Sequence, residues 1–155
     1  MGGVSVGYGV CSALPELAGG KWSDVIELRV PPKLVHQSVA RAAIGVIAGG
    51  LSFNYDEIIQ LRVAVSEAFE IMLRRVEQTN PEAAPLEVTI RFSTDTGSIE
   101  VLIPAWPSIP GYVATEEDAE SQALLESLMD EVQLNSESQN GPVVRMLKRR
   151  EAQDD

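Results

Sequence analysis

The sequence predicts an α+β domain: a two-layer α/β sandwich, with a mostly antiparallel sheet and its helices on one face. Three observations lead there. Short strand-like stretches recur along the chain, adjacent segments repeat apolar residues at helical spacing, and the two kinds of segment fall in separate runs instead of alternating one for one. The order they give is β-α-α-β-β-α-β-β.

Residues 1 to 23 hold Gly2, Gly3, Gly7, Gly9, Gly19 and Gly20 among scattered apolar residues, without a stable period. This composition predicts a flexible leader, with Gly7-Tyr8-Gly9 as linker and not a phosphate loop. The folded domain is expected over residues 24 to 150, with a disordered tail at 151 to 155.

The first strand is expected at Val25-Ile26-Glu27-Leu28-Arg29-Val30, where apolar and charged residues alternate until Pro31-Pro32. Lys33 to about Ala48 then reads as a helix, with Val35, Val39, Ala42, Ala43, Val46 and Ile47 at helical spacing and Gly49-Gly50 as its stop. Asn54 followed by Glu57 is a helix-start capping pattern, and Ile58, Leu61, Val65, Ala68, Phe69, Met72 and Val76 continue from it as one apolar stripe.

Past Asn80-Pro81 and Pro85, the alternating runs Glu87 to Phe92 and Ile99 to Ile103 flank an Asp95-Thr96-Gly97 turn and predict a hairpin. Glu116 to Met129 reads as an acidic amphipathic helix with Leu124, Leu125, Leu128 and Met129 on its apolar side. A second hairpin follows, from Val132 to about Glu137 and Val143 to Leu147, with Asn140-Gly141 between them.

At 155 residues and 45% hydrophobic content the chain can fill one core. Its 12 basic and 23 acidic side chains give a net charge of -11. That charge excludes nucleic acid and anionic membrane as partners and favours basic protein surfaces. A single cysteine, Cys11, permits no intrachain disulfide, and a single histidine, His36, permits no Cys/His zinc site. No apolar run approaches the roughly 20 residues of a membrane span, and the N-terminus lacks the basic-then-apolar order of a signal peptide. A cytoplasmic location is therefore expected. Val6 stands where a myristoylation signal needs Ser or Thr.

The element order, together with Ile26-Glu27-Leu28-Arg29-Val30-Pro31, Tyr55-Asp56-Glu57-Ile58, Leu61-Arg62-Val63-Ala64-Val65-Ser66-Glu67-Ala68 and Leu128-Met129-Asp130-Glu131-Val132, resembles the anti-sigma-factor serine kinases of bacterial partner-switching systems. These belong to the histidine-kinase-like ATPase domains, and the likeness runs from about residue 25 to 150. The resemblance implies that Glu67 is the catalytic glutamate that activates the nucleophile or water, and that an asparagine four residues later holds magnesium. Ile71 stands there instead. Val63, Glu67 and Ile71 are expected on one helix face, nearly opposite the core stripe, where a nucleotide would lie. A hard cation needs oxygen ligands, which isoleucine lacks.

Two further family motifs depart in the same direction. The aspartate that reads adenine and its nearby glycine fall near Ile103 and Ala105, and Asp118, Ala119 and Ser121 stand where the lid glycines are implied. The acidic run Glu116-Glu117-Asp118 adds repulsion toward polyphosphate. Each lost contact costs about 1 to 3 kcal/mol, so three together rival the roughly 8 kcal/mol behind a micromolar affinity.

The resemblance also places Gln37 and Arg41 on a partner-binding face of the first helix, where a sigma factor and an anti-anti-sigma antagonist dock, and it implies a homodimer formed through the sheet and first helix. Read without it, Arg41 is an exposed helical arginine and Glu67 a solvated glutamate. Glu70 and Arg74 are expected as an i,i+4 surface pair. Trp22 and Trp106 are either interface anchors or local packing, and Lys148-Arg149-Arg150 is a solvated basic run. The expected function is an anti-sigma-type binding module with weak or no ATP binding and no cofactor. The alternative is an active serine kinase using ATP and magnesium on the antagonist.

Overall fold

The computed structural model describes residues 22–106, 115–134 and 141–151. The leader up to residue 21, Cys11 within it, Asn140 of the expected second turn and the tail from 152 lie outside these residues. Strand β1 (Asp24–Val30) ends at Pro31-Pro32, as a ring-locked pair without N–H donors dictates. Lys33 stays extended, a single 3-10 turn spans Leu34–His36, and helix α1 (Gln37–Gly50) begins four residues later than its apolar spacing suggests.

Gly49 and Gly50 close the helix as its last two residues, so it ends at the predicted glycine pair. The left-handed residue of the following turn is Ser52, at φ 64. Helix α2 (Tyr55–Gln78) opens on the predicted capping box: the Asn54 side chain accepts from the Glu57 amide at 2.8 Å, and the Glu57 carboxylate accepts from the Asn54 amide at 2.9 Å. Glu57 also accepts the Glu151 amide at 2.8 Å, which ties the chain's last strand to the start of α2.

Strands β2 (Val88–Thr94), β3 (Ser98–Ile103), β4 (Glu131–Leu134) and β5 (Val144–Arg149), together with helix α3 (Glu116–Leu128), complete the predicted order. The sheet runs β1-β2-β3-β5-β4 and every neighbouring pair is antiparallel. Its register sets Ile26, Phe92, Val101, Met146 and Val132 in one row across all five strands. That row lies on the face that meets the helices. Ala40, Ile44 and Ala48 of α1, Leu61, Ala68, Phe69 and Met72 of α2, and Leu125 of α3 join Phe92, Val101 and Met146 in one buried cluster. Each such large side chain contributes about 1.5 to 3 kcal/mol on leaving water.

The opposite face of the sheet is charged but not simply solvated. Arg91 of β2 and Glu100 of β3 are both buried, with Arg91 paired to Glu27 at 2.8 Å and Glu100 to Arg145 at 2.7 Å. Arg149, read from sequence as part of a solvated basic run, pairs with Glu131 at 2.6 Å, and Lys148 donates to the Leu128 carbonyl at 2.8 Å. Trp106 packs locally: its indole N–H donates to the Thr79 hydroxyl at 3.2 Å, and Thr79 in turn closes the end of α2 by donating to the Arg75 carbonyl.

Candidate functional site

Helix α3 crosses the second half of α2, and the crossing is held by polar groups. The Ser121 hydroxyl donates to the Glu67 carboxylate at 2.5 Å, and Arg74 donates to the Ser121 oxygen at 2.8 Å and to Asp118 at 3.2 Å. The other oxygen of Asp118 lies 3.8 Å from the Arg75 guanidinium. Asp118 serves twice, since its carboxylate also accepts from Thr115 in the capping box that starts α3. Arg74 therefore pairs with α3 and not with Glu70, as the i,i+4 spacing had suggested. Glu70 instead accepts from Gln37 of α1 at 3.1 Å.

Burial and hydrogen bonding pull the Asp118 carboxyl in opposite directions. Desolvation raises its pKa, while the Thr115 hydrogen bonds and the Arg75 and Arg74 guanidiniums lower it; the net shift is downward. The anion is the form this crossing holds.

The face predicted for Val63, Glu67 and Ile71 is divided. Val63 is exposed, Glu67 is half-buried, and Ile71 is fully buried within the core cluster. The expectation that Ile71 faces an open cleft is corrected, and the reason is tertiary: α3 is tied to α2 on both sides of Ile71, at Glu67 and at Arg74 and Arg75. Local periodicity cannot register that crossing. Ile103 is likewise buried in the core, and Ala105 packs against it.

Asp118 and Ser121 are buried in the first turns of α3, and both belong to the network on α2. What remains open between the two helices is a recess of about 390 Å³, where Glu67, Glu70, Glu117 and Glu120 surround Arg74. Four carboxylates around one guanidinium repel polyphosphate. Among the described residues no group of three or more His, Cys, Asp or Glu is arranged to hold a metal ion. Ile71 and Ile103 bring no side-chain oxygen to the positions that the family motifs imply for the metal and the adenine.

The residues expected on the partner face lie next to this recess, where α1 meets α2. Gln37 points inward, donating to the Ser66 carbonyl at 3.0 Å as well as to Glu70, and so staples the start of α1 to α2. Arg41, one turn on, lines an open groove between α1 and α2. The structure brings Gln37, Arg41, Glu67 and Glu70 together at the α1–α2 groove, while Ile103 is buried in the core. Sequence reasoning missed Arg75 as a site residue. Its signal was faint: a second arginine on the apolar side of an amphipathic helix, which required a buried acid elsewhere.

Five antiparallel strands in this order, backed on one face by helices of which the second carries a mid-helix glutamate, define a histidine-kinase-like ATPase fold. No protein-family profile matches the chain. It is similar to the serine-protein kinase RsbW of Oceanobacillus iheyensis, 30% identical over 142 residues that cover 81% of this chain and 86% of that protein. The serine-protein kinase RsbW of Bacillus subtilis (strain 168) is 29% identical over 142 residues with the same two coverages, and that of Bacillus velezensis is 27% identical over 141 residues. The chain belongs to this family, the anti-sigma-factor serine kinases of bacterial partner switching that its motifs resemble. No helix among the described residues is long and apolar enough to cross a membrane.

Proposed function

We propose that this chain is a partner-switching regulator that works by binding, with weak or no ATP binding of its own. It holds a sigma factor, or the anti-anti-sigma antagonist that competes for the same surface, on the side of α1 that carries Arg41, with Gln37 fixing α1 against α2. The observation that carries the reading is the seat of α3: Ser121 occupies the Glu67 carboxylate, and Ile71, at the position implied for the metal ligand, is fully buried in the core cluster. Cytoplasmic location and a homodimer are parts of the same proposal.

A second reading is an active serine kinase. It is favoured by the printed name of the relatives and by the presence of Glu67. It requires α3 to leave α2 before a nucleotide can approach that glutamate, and an oxygen ligand from outside the Ile71 position.

Co-purification with candidate sigma factors of the source bacterium tests the first reading. The chain is expected to retain one of them, and Arg41→Glu is expected to abolish the complex without unfolding the protein. Unchanged capture by the Arg41→Glu variant removes this face from the account.

A further inference from the structure

The groove between α1 and α2 measures about 570 Å³ and has features that Arg41 alone does not explain. Along its α2 wall Tyr55, Ile59 and Val63 recur every four residues and stand 76%, 41% and 42% exposed. Side chains at that spacing form a single stripe. Three large apolar residues in a row facing water are a cost for a solitary domain unless something covers them.

Two guanidiniums share the groove, Arg41 from α1 and Arg62 from α2. The Arg62 stem lies against α1 at Gly45, where an added methyl group would meet its Cδ at 3.6 Å, an ordinary van der Waals contact. Neither arginine makes an ion pair among the described residues, whereas Arg74, Arg75, Arg91, Arg145 and Arg149 all do. Glu67 and Glu70 also line the groove and accept from neutral donors, Glu67 from Ser121 and Glu70 from Gln37, and neither is ion-paired with Arg41 or Arg62. In a chain of net charge -11, these two cations, without an ion-pair partner among the described residues, stand beside the apolar stripe and balance the two carboxylates of the lining.

We propose that this groove receives an acidic amphipathic helix of a partner protein, with its apolar residues on Tyr55, Ile59 and Val63 and its carboxylates on Arg41 and Arg62. The inference rests on the partner-binding reading above and names the partner's chemistry. Apolar spacing of i, i+4, i+8 on the receiving helix matches a helical ligand, whose own contacts repeat at i, i+3 or i+4 and i+7. The Gln37 staple sets the distance between the groove's two walls before any ligand arrives.

The test uses the full-length protein and two synthetic helical peptides, each with leucines at i, i+4 and i+7. One carries flanking glutamates and the other flanking lysines. The glutamate peptide is expected to bind with backbone amide shifts confined to residues around Arg41 and Tyr55 to Val63, at least about tenfold more tightly than the lysine peptide. Arg62→Glu and Ile59→Ser, both surface changes whose folding circular dichroism checks, are each expected to weaken it by about tenfold or more, and 0.5 M salt to weaken it further. Equal binding of the two peptides, no binding of either, or shifts located on α3 overturns the proposal. So does a change of oligomeric state in the groove variants without peptide binding, which would assign the groove to a second copy of this chain. If Arg41→Glu abolishes sigma-factor capture while Arg62→Glu and Ile59→Ser leave it intact, the partner face stands and the helix groove falls. Capture indifferent to all three removes both.

Discussion

The Ser121 hydroxyl reaches across 54 residues of sequence to donate to the Glu67 carboxylate at 2.5 Å, and it does so as the middle of a chain that continues through Arg74 to Asp118. Only Leu125 among the fully buried residues of α3 is apolar. The helix is seated on α2 largely by polar groups, so its attachment is expected to respond to charge and pH more than an oily helix contact would.

Ser121→Ala removes a hydroxyl that serves two partners, one as donor and one as acceptor. We expect a loss of about 1 to 2 kcal/mol in unfolding free energy. Amide exchange over residues 116–128 is expected to speed up by more than that of the sheet. Uniform acceleration across the molecule would show that α3 has no separate attachment.

Asp118 and Glu100 give acid titration two opposed windows. Burial raises the Glu100 carboxyl above its ordinary 4.5, only partly offset by Arg145, so the folded state takes up its proton first and stability rises as pH falls toward 4.5. The Asp118 carboxyl is held below its ordinary 3.8, so its contribution is present above 3.8 and is lost as pH falls through the lower folded value. Glu100→Gln is expected to abolish the first rise, and Asp118→Asn to flatten the later fall. Denaturant unfolding from pH 7 to pH 3 measures both, and identical profiles for wild type and the two variants would contradict the assignments.

Placing asparagine at the position implied for the metal ligand separates the structural from the catalytic account of Ile71. Because this side chain is fully buried, Ile71→Asn loses apolar burial and inserts an amide with no oxygen-seeking ion to meet, at an expected cost of about 3 kcal/mol. A variant as stable as wild type that gains magnesium-dependent nucleotide binding would show the site is only one side chain away from function.

Ser52 holds φ 64 in the turn between α1 and α2. Left-handed backbone costs a non-glycine residue about 1 to 2 kcal/mol, partly returned by the greater unfolded-state freedom of glycine. Ser52→Gly is therefore expected to stabilise by about 0.5 kcal/mol, and Ser52→Val to destabilise by about 1 kcal/mol or more, both read by thermal unfolding. A neutral valine would mean the turn re-forms in another conformation.

Most of the fold was legible because its signals are local. The Asn54–Glu57 capping box, the Pro31-Pro32 stop and the Asp95-Thr96-Gly97 turn each act within a few residues, and the structure reproduces them. The helix ends at the Gly49-Gly50 pair, but the turn that follows takes its left-handed residue at Ser52, which no local signal marked. The partners of Arg74 were not legible. Sequence spacing offered Glu70 four residues away, while the real acceptors sit 44 and 47 residues on. Glu67 and Arg41 stood out only through the family motif. Ile71 was placed on the wrong side because a helical period fixes direction around one axis and says nothing of what packs against each side.

On the binding-only proposal, α3 and buried hydrocarbon fill the place where the fold would otherwise take a nucleotide. Calorimetric titration of the intact protein with magnesium and ATP, paired with its melting temperature, tests this most directly. No saturable heat is expected at millimolar nucleotide, and the melting temperature is expected to stay unchanged. A ligand present at 100 times its dissociation constant adds about 2.7 kcal/mol, which for a domain of this size is a rise of roughly 5 to 10 °C. A rise of that size, with saturable heat and lost in the Glu67→Gln variant, would contradict it.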